Sequence, residues 1–338
     1  MLASAIARKV PFPGPSQATF RFADFFAGVG GFRLALQSLG GECVFSCEID
    51  ANAQRTYEAN FGEMPFDDVR RVDARDLPAH DLLAGGFPCQ AFSIAGRRGG
   101  FEDTRGTLFF ELARLIRARR PQAVFLENVK GLKNHAGGKT LETILNVLRR
   151  DLGYFVPEPR IINAKHFGVP QNRERIFIVG FADKASAERF VWPEPESDVP
   201  TFAAVKERGP VSPKYFVSKR YWESLKAHRA RHESRGNGFG YEVIADDGVA
   251  NAIVVGGMGR ERNLVRDRPL RDGRDGWDDV NDENIRRMTP REWARLQGFP
   301  DDFIIPVADV HAYKQFGNSV AVPAVRAVAR QILAARSC

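Results

Sequence analysis

Cys89 is the residue whose setting best suits covalent chemistry. It lies in Gly86-Phe87-Pro88-Cys89-Gln90-Ala91-Phe92-Ser93, which runs on through Gly96-Arg97-Arg98-Gly99-Gly100. A cysteine attacks as its thiolate, and nearby arginines favour that form. The competing use of a lone cysteine is as a small apolar residue in the core, but the glycines and charges around Cys89 read as a mobile loop. A carboxylate offers complementary chemistry in Ala123-Val124-Phe125-Leu126-Glu127-Asn128-Val129. Glu127 directly follows four apolar residues, where burial would raise its pKa and let it donate a proton. The same stretch would also serve as a helix N-cap through Asn128, leaving Glu127 to solvent. Gln171-Asn172-Arg173-Glu174-Arg175 carries Arg173 and Arg175 at a spacing that shares one strand face. Salt bridging to Glu174 is its ordinary alternative.

A second constellation suits a ligand. Asp24-Phe25-Phe26-Ala27-Gly28-Val29-Gly30-Gly31 sits where a first strand gives way to a helix, and Gly28 and Gly30 let backbone approach a bound molecule. Such a loop is equally a plain tight turn until Glu48-Ile49-Asp50 is added, an acidic pair ending the next strand where folds of this kind hold a ribose. Asp68, after a third segment, could accept from an adenine edge. No lysine stands in a phosphate-loop pattern, so a nucleoside without a phosphate chain fits better, and S-adenosylmethionine is such a ligand.

These residues need a scaffold that brings strand ends together. Phe22 to Phe26, Cys43 to Cys47, Leu82 to Ala84, Val124 to Leu126 and Ile176 to Val179 read as strands. Phe32 to Ser38, Asn52 to Asn60, Leu108 to Ala118 and Leu141 to Arg150 read as the helices between them. The alternation predicts an α/β fold with a doubly wound, mostly parallel sheet. After Trp192 the chain becomes proline-rich, charged and then glycine-rich, as in Gly236-Asn237-Gly238-Phe239-Gly240 and Gly256-Gly257-Met258-Gly259. From Ile285 a compact pattern returns, with a helix start at Thr289-Pro290-Arg291-Glu292 and a last helix over Pro323 to Ala335. The expected division is a flexible arm at 1–20, a catalytic domain from 21–191 and 285–338, and a smaller loop-rich domain at 192–284.

Composition sets the outer bounds. The chain of 338 residues with 43% hydrophobic content can build an ordinary core. Four cysteines without a CxxC pair or clustered histidines suggest neither a disulfide framework nor a zinc site, and no metal is expected. That cysteine usage fits a reducing cytoplasm, and no stretch approaches the run of about 18 apolar residues that a membrane helix needs. Lysine and arginine exceed aspartate and glutamate by 49 to 42, a net charge of +7 that would suit a polyanion. Basic clusters at Arg117 to Arg120 and Lys226 to Arg235 point the same way, though each is equally a solvated helix face.

These blocks, in this order, resemble the bacterial cytosine-5 DNA methyltransferases of restriction–modification systems. The likeness covers nearly the whole chain: Phe26 to Gly31, Pro88-Cys89-Gln90, Glu127-Asn128-Val129, Gln171 to Arg175, Arg291-Glu292 to Gly298-Phe299-Pro300, and Gln315-Phe316-Gly317-Asn318-Ser319-Val320. The resemblance implies that Phe26, Gly28, Gly30, Glu48, Asp68, Pro88 and Leu108 line an S-adenosylmethionine pocket, joined by Asn318 and Val320 from the far end of the chain, and that S-adenosylhomocysteine is released. At Ile49 many relatives carry a tryptophan against the adenine, so aliphatic contact would replace stacking. It implies further that Cys89 adds to carbon 6 of a cytosine flipped out of duplex DNA, that Glu127 shares a proton with ring nitrogen 3, and that Arg175, with Arg173 beside it, holds the base. Arg97 and Arg98 would grip phosphates. The region from Lys226 to Arg262 resembles the recognition regions of methyltransferases that modify CCGG and, more loosely, of those that modify CCNGG or CCWGG, with Arg260, Glu261 and Arg262 as the candidates for reading G·C pairs, or equally for holding phosphates or each other, and methylation falling on the inner cytosine of CCGG. A monomer is the expected state, and a restriction endonuclease acting on the same site without stable complex is the expected counterpart. A transfer-RNA cytosine-5 methyltransferase and a non-catalytic DNA-binding module are the alternative readings.

Overall fold

Strands that read as unbroken apolar runs must be covered on both faces. The computed structural model, which describes residues 10–88, 108–238, 240–256, 259–269 and 279–336, covers them with helices on either side. In chain order come β1 (Phe20–Phe25), α1 (Gly31–Gln37), β2 (Gly41–Cys47), α2 (Ala51–Phe61), β3 (Leu82–Gly86), α3 (Leu108–Arg119), β4 (Ala123–Val129), α4 (Lys139–Asn146), β5 (Arg160–Asn163), β6 (Gln171–Asn172), β7 (Glu174–Phe181) and α5 (Lys184–Arg189). Apart from the two-residue β6, the strands form one sheet in the order β2-β1-β3-β4-β7-β5. The first four are parallel, and β7 runs antiparallel to both its neighbours. The apolar pattern carries no strand direction. The short link from β5 to β7 cannot hold the crossover that a parallel neighbour requires, so the chain turns back on itself. The strand order reverses between β1 and β3, which makes their carboxyl ends the expected ligand crevice.

The second region holds α6 (Lys219–Glu233), β8 (Val243–Ile244), β9 (Ala250–Asn251), β10 (Leu264–Arg266) and β11 (Ile285–Arg287). Its small sheet runs β11-β10-β8, so the pairing crosses the boundary expected at 284. Arg286 locks this join. Fully buried, it donates to Asp267 (2.6 Å) and to both carboxylate oxygens of Glu292 (2.7 Å each). Glu292 also completes the capping box with Thr289 that opens α7 (Pro290–Leu296).

α8 (Asp309–Asn318) and α9 (Val322–Arg336) return to the first region. α9 buries Val325, Val328 and Ile332 in the core cluster that holds Ala35 and Leu36 of α1. The flexible arm expected at 1–20 is corrected for its second half, residues 1–9 lying outside the described ones. The Phe12 N–H donates to the Asn60 carbonyl (3.0 Å), and its ring lies against Phe61 and Phe303. Among the described residues no helix is long and apolar enough to cross a membrane.

Candidate active site

A cavity of about 620 Å³ opens at the carboxyl ends of β1 to β4. One side is built from the turn after β1. Phe26 and Gly28 both take left-handed backbone angles (φ 55° and 56°), and the Gly28 N–H donates to the Glu48 carboxylate (2.8 Å). The other Glu48 oxygen accepts from the Asp50 N–H (2.7 Å). Burial raises the Glu48 pKa, with those two backbone donors opposing it. Asp50 caps α2 and takes an ion pair from Lys314 of α8 (2.6 Å), which closes the rim. Asp68 lines the cavity, and hydrogen bonds from Arg70 lower its pKa. Ile49, 66% exposed, lies at the rim without an aromatic ring to stack. Leu108, Pro88, Asn318 and Val320 line the same space. Gly30 does not. It caps α1 at φ 89°, and any side chain there would run into the ring of Phe61 at 2.2 Å, so its glycine serves the turn.

The deeper end is charged and buried. Glu127 pairs in register with Gly86 across β4 and β3, and a methyl at position 86 would stand 3.3 Å from its carboxylate. The Arg175 guanidinium lies 3.1 Å from Glu127 Oε1, outside hydrogen-bonding geometry, so that buried oxygen keeps its capacity for another partner. Burial raises the Glu127 pKa, with Arg175 and then Arg173 opposing. Asn128 is no helix cap. Its amide donates to the Phe87 carbonyl (2.8 Å), tying β4 to the segment that leads to Cys89. Arg173 is buried and donates to the carbonyls of Ile253, Gly317 and Ser319, and burial lowers its pKa to about 9, still cationic at neutral pH. A buried carboxyl with a raised pKa, a cation and an apolar wall thus converge on one space, which suits a planar polar base at one end and a nucleoside at the other.

Cys89, Arg97 and Arg98, with the segment through Thr107, lie outside the described residues. Cys47 also lines the cavity, but burial pushes its thiol up to about 12, so it is not a nucleophile near neutral pH. The recognition candidates divide. Arg260 and Arg262 are exposed, the former over the ring of Tyr313. Glu261, expected to accept from a cytosine amino group, is instead 5% exposed and bonded to Arg287 (3.0 Å) and the Tyr221 hydroxyl (3.2 Å). Two charged runs distant in sequence satisfy each other there. Lys314 and the Asn128 amide were not foreseen. The latter sat within a quoted block, whereas Lys314 gave no local signal.

Comparisons with known proteins show the family of the chain. The family model described as C-5 cytosine-specific DNA methylase matches residues 20–334. Type II methyltransferase M.HpaII of Haemophilus parainfluenzae is 62% identical over 93% of this chain and 89% of its own length. M.DsaV of Dactylococcopsis salina is 46% identical over 93% and 86%. Among solved structures, the Entamoeba histolytica methyltransferase EhMeth superposes with a TM-score of 0.71 at 16% identity, covering 94% of this chain and 98% of its own.

Proposed function

The chain belongs to the C-5 cytosine-specific DNA methylase family and is a DNA (cytosine-5-)-methyltransferase, and from that premise we propose that Cys89 is its nucleophile, Glu127 its proton donor and CCGG its target. The observation that carries the reading is the convergence of Glu127 and Arg175 in the cavity that Pro88 also lines, with a buried carboxylate oxygen that accepts no hydrogen bond.

Carbon 5 of cytosine is too poor a nucleophile to be methylated directly. The Cys89 thiolate adds to carbon 6 and turns the ring into an enamine-like nucleophile at carbon 5. Negative charge builds on the ring as it does so. Glu127, whose pKa burial raises, shares a proton with ring nitrogen 3, and Arg175 holds the base oxygen. Once carbon 5 carries the transferred methyl, whose donor would leave as S-adenosylhomocysteine, loss of the remaining carbon 5 proton expels Cys89 and restores aromaticity. The family uses S-adenosylmethionine, which supplies an already activated methyl sulfonium when bound, so the chemistry balances without a metal ion. The cavity fits that cofactor: Glu48 suits its ribose, Asp68 its adenine edge, and Phe26, Leu108 and Val320 its apolar faces. A base reaches Glu127 only if it leaves the stack, at a cost of a few kcal/mol.

The division of labour we infer gives residues 21–191 and 285–338 to catalysis and 192–284 to sequence reading, the latter extended to β11 by its strand pairing. Arg260 and Arg262 are the candidates for pairing with guanine, and Glu261 serves to hold β11 in place. CCGG is supported by the likeness of the recognition segment to that of CCGG methyltransferases and by the identity to the Haemophilus parainfluenzae enzyme. A monomer working in the bacterial cytoplasm, opposite a restriction endonuclease of the same specificity, completes the proposal. Bisulfite sequencing of DNA from cells expressing the protein tests it. Methylation confined to the inner cytosine of CCGG is the expected result, and a consistent mark at an unrelated site would overturn the target assignment.

A further inference from the structure

Gln171 and Arg173 flank Asn172 where the two regions meet, and both are buried, at 0% and 2% exposure. The Gln171 amide oxygen accepts from the Ile253 N–H (3.0 Å), and its nitrogen donates to the Leu296 carbonyl (2.8 Å). Arg173 donates to the carbonyls of Ile253 (3.0 Å), Gly317 (3.2 Å) and Ser319 (2.7 Å). Ile253, on the recognition side, is therefore gripped at both its N–H and its carbonyl by side chains of the catalytic side. The strand pairing beside it, β6 on β9, joins only Gln171 to Ala250 and Asn172 to Asn251.

So short a ladder specifies register weakly, and a slip of one residue would turn every side chain that follows to the opposite face. Val254 and Val255 follow Ile253 directly and are exposed, and Arg260 and Arg262 stand further along the same segment. A buried polar junction is a poor source of stability but a good means of fixing one register over another. Arg173 also ties that register to Gly317 and Ser319, which line the cavity, and stands within electrostatic reach of Glu127.

We propose that Gln171 and Arg173 are positioning residues for target discrimination, fixing the recognition segment at Ile253 against the pocket so that base contacts and pocket alignment are met together only on the target sequence. The proposal rests on the reading of residues 192–284 as the sequence-reading region. Arg173 thereby leaves the catalytic set and acts through its neighbours.

The test compares the intact protein with its Arg173→Lys and Gln171→Met variants. Methyl transfer is measured on duplexes carrying CCGG and on duplexes altered at one base pair, with cofactor affinity and thermal unfolding measured alongside. The ratio of kcat/KM between target and altered duplex is expected to fall by about tenfold or more, the worth of one good base contact, while cofactor affinity stays unchanged. An equal fall on every duplex in a folded variant would show a merely structural role and overturn the proposal. Should Arg173→Lys fail to fold, Gln171→Met leaves the cation in place and carries the same prediction. Methylation by the intact protein at another site would overturn only the CCGG assignment, because the ratio is then read on that site.

Discussion

In the pocket, Glu127 and Arg173 are buried and each keeps one polar atom without a partner, whereas on α6 Lys226 and Arg229 stand in solvent and are paired with Glu223, Glu283 and Glu233. Unmet hydrogen-bonding capacity in a buried place is costly, and at Glu127 it faces the cavity, where a ligand can use it. Surface charge costs little and can be exchanged for phosphate when DNA arrives.

The sharpest way to break that contrast is Glu127→Gln, which keeps the shape of the site and removes the shared proton. Its kcat should fall by about 10²–10⁴-fold in single-turnover methyl transfer, with cofactor affinity intact. A loss of cofactor affinity as large as that of Glu48→Gln would erase the division between the two ends of the cavity.

Arg286→Met asks whether the buried join between the regions obeys the same rule. Removing the cation strands Glu292 in the core, so urea denaturation should show a loss of about 3–5 kcal/mol. A loss no larger than that of an exposed pair would contradict the burial argument.

Asp24 extends the contrast beneath the ligand loop. It is fully buried with both oxygens unpartnered, and burial lifts its pKa from 3.8 to about 8, against the pull of Arg33. The folded chain therefore keeps a proton that the unfolded chain loses, and stability drains away as pH rises from about 4 to 8. Asp24→Asn should melt at an increasingly higher temperature than the unaltered protein across that window, and the gap should be flat below it. A gap independent of pH would show that Asp24 is already charged.

The smallest effect belongs to the solvated side of the comparison. Lys226→Ala should leave the melting temperature unchanged and lower the slope of log affinity against log salt by about one, equally on all DNA sequences. A sequence-dependent loss would move Lys226 into the group of base-reading residues.

Much of this was legible in the chain because the catalytic blocks are local. Four apolar residues before Glu127 foretold its burial, and Thr289 to Glu292 foretold the capping box of α7. What escaped is what depends on partners remote in sequence. The direction of β7 follows from a short link, which periodicity does not record. Glu261 reads as an exposed charge between two arginines until Arg287 and Tyr221 close over it. The grip on Ile253 and the ion pair from Lys314 to Asp50 join residues that no local pattern connects.

The most direct measurement is a covalent trap. A duplex with 5-fluorocytosine at the inner position of CCGG, incubated with the protein and S-adenosylmethionine, should give a denaturation-resistant adduct, because release would require fluorine to leave as a cation. Peptide mapping should place the adduct on Cys89, and Cys89→Ser should give none. No adduct with the unaltered protein, or an adduct on Cys47, would contradict the mechanism.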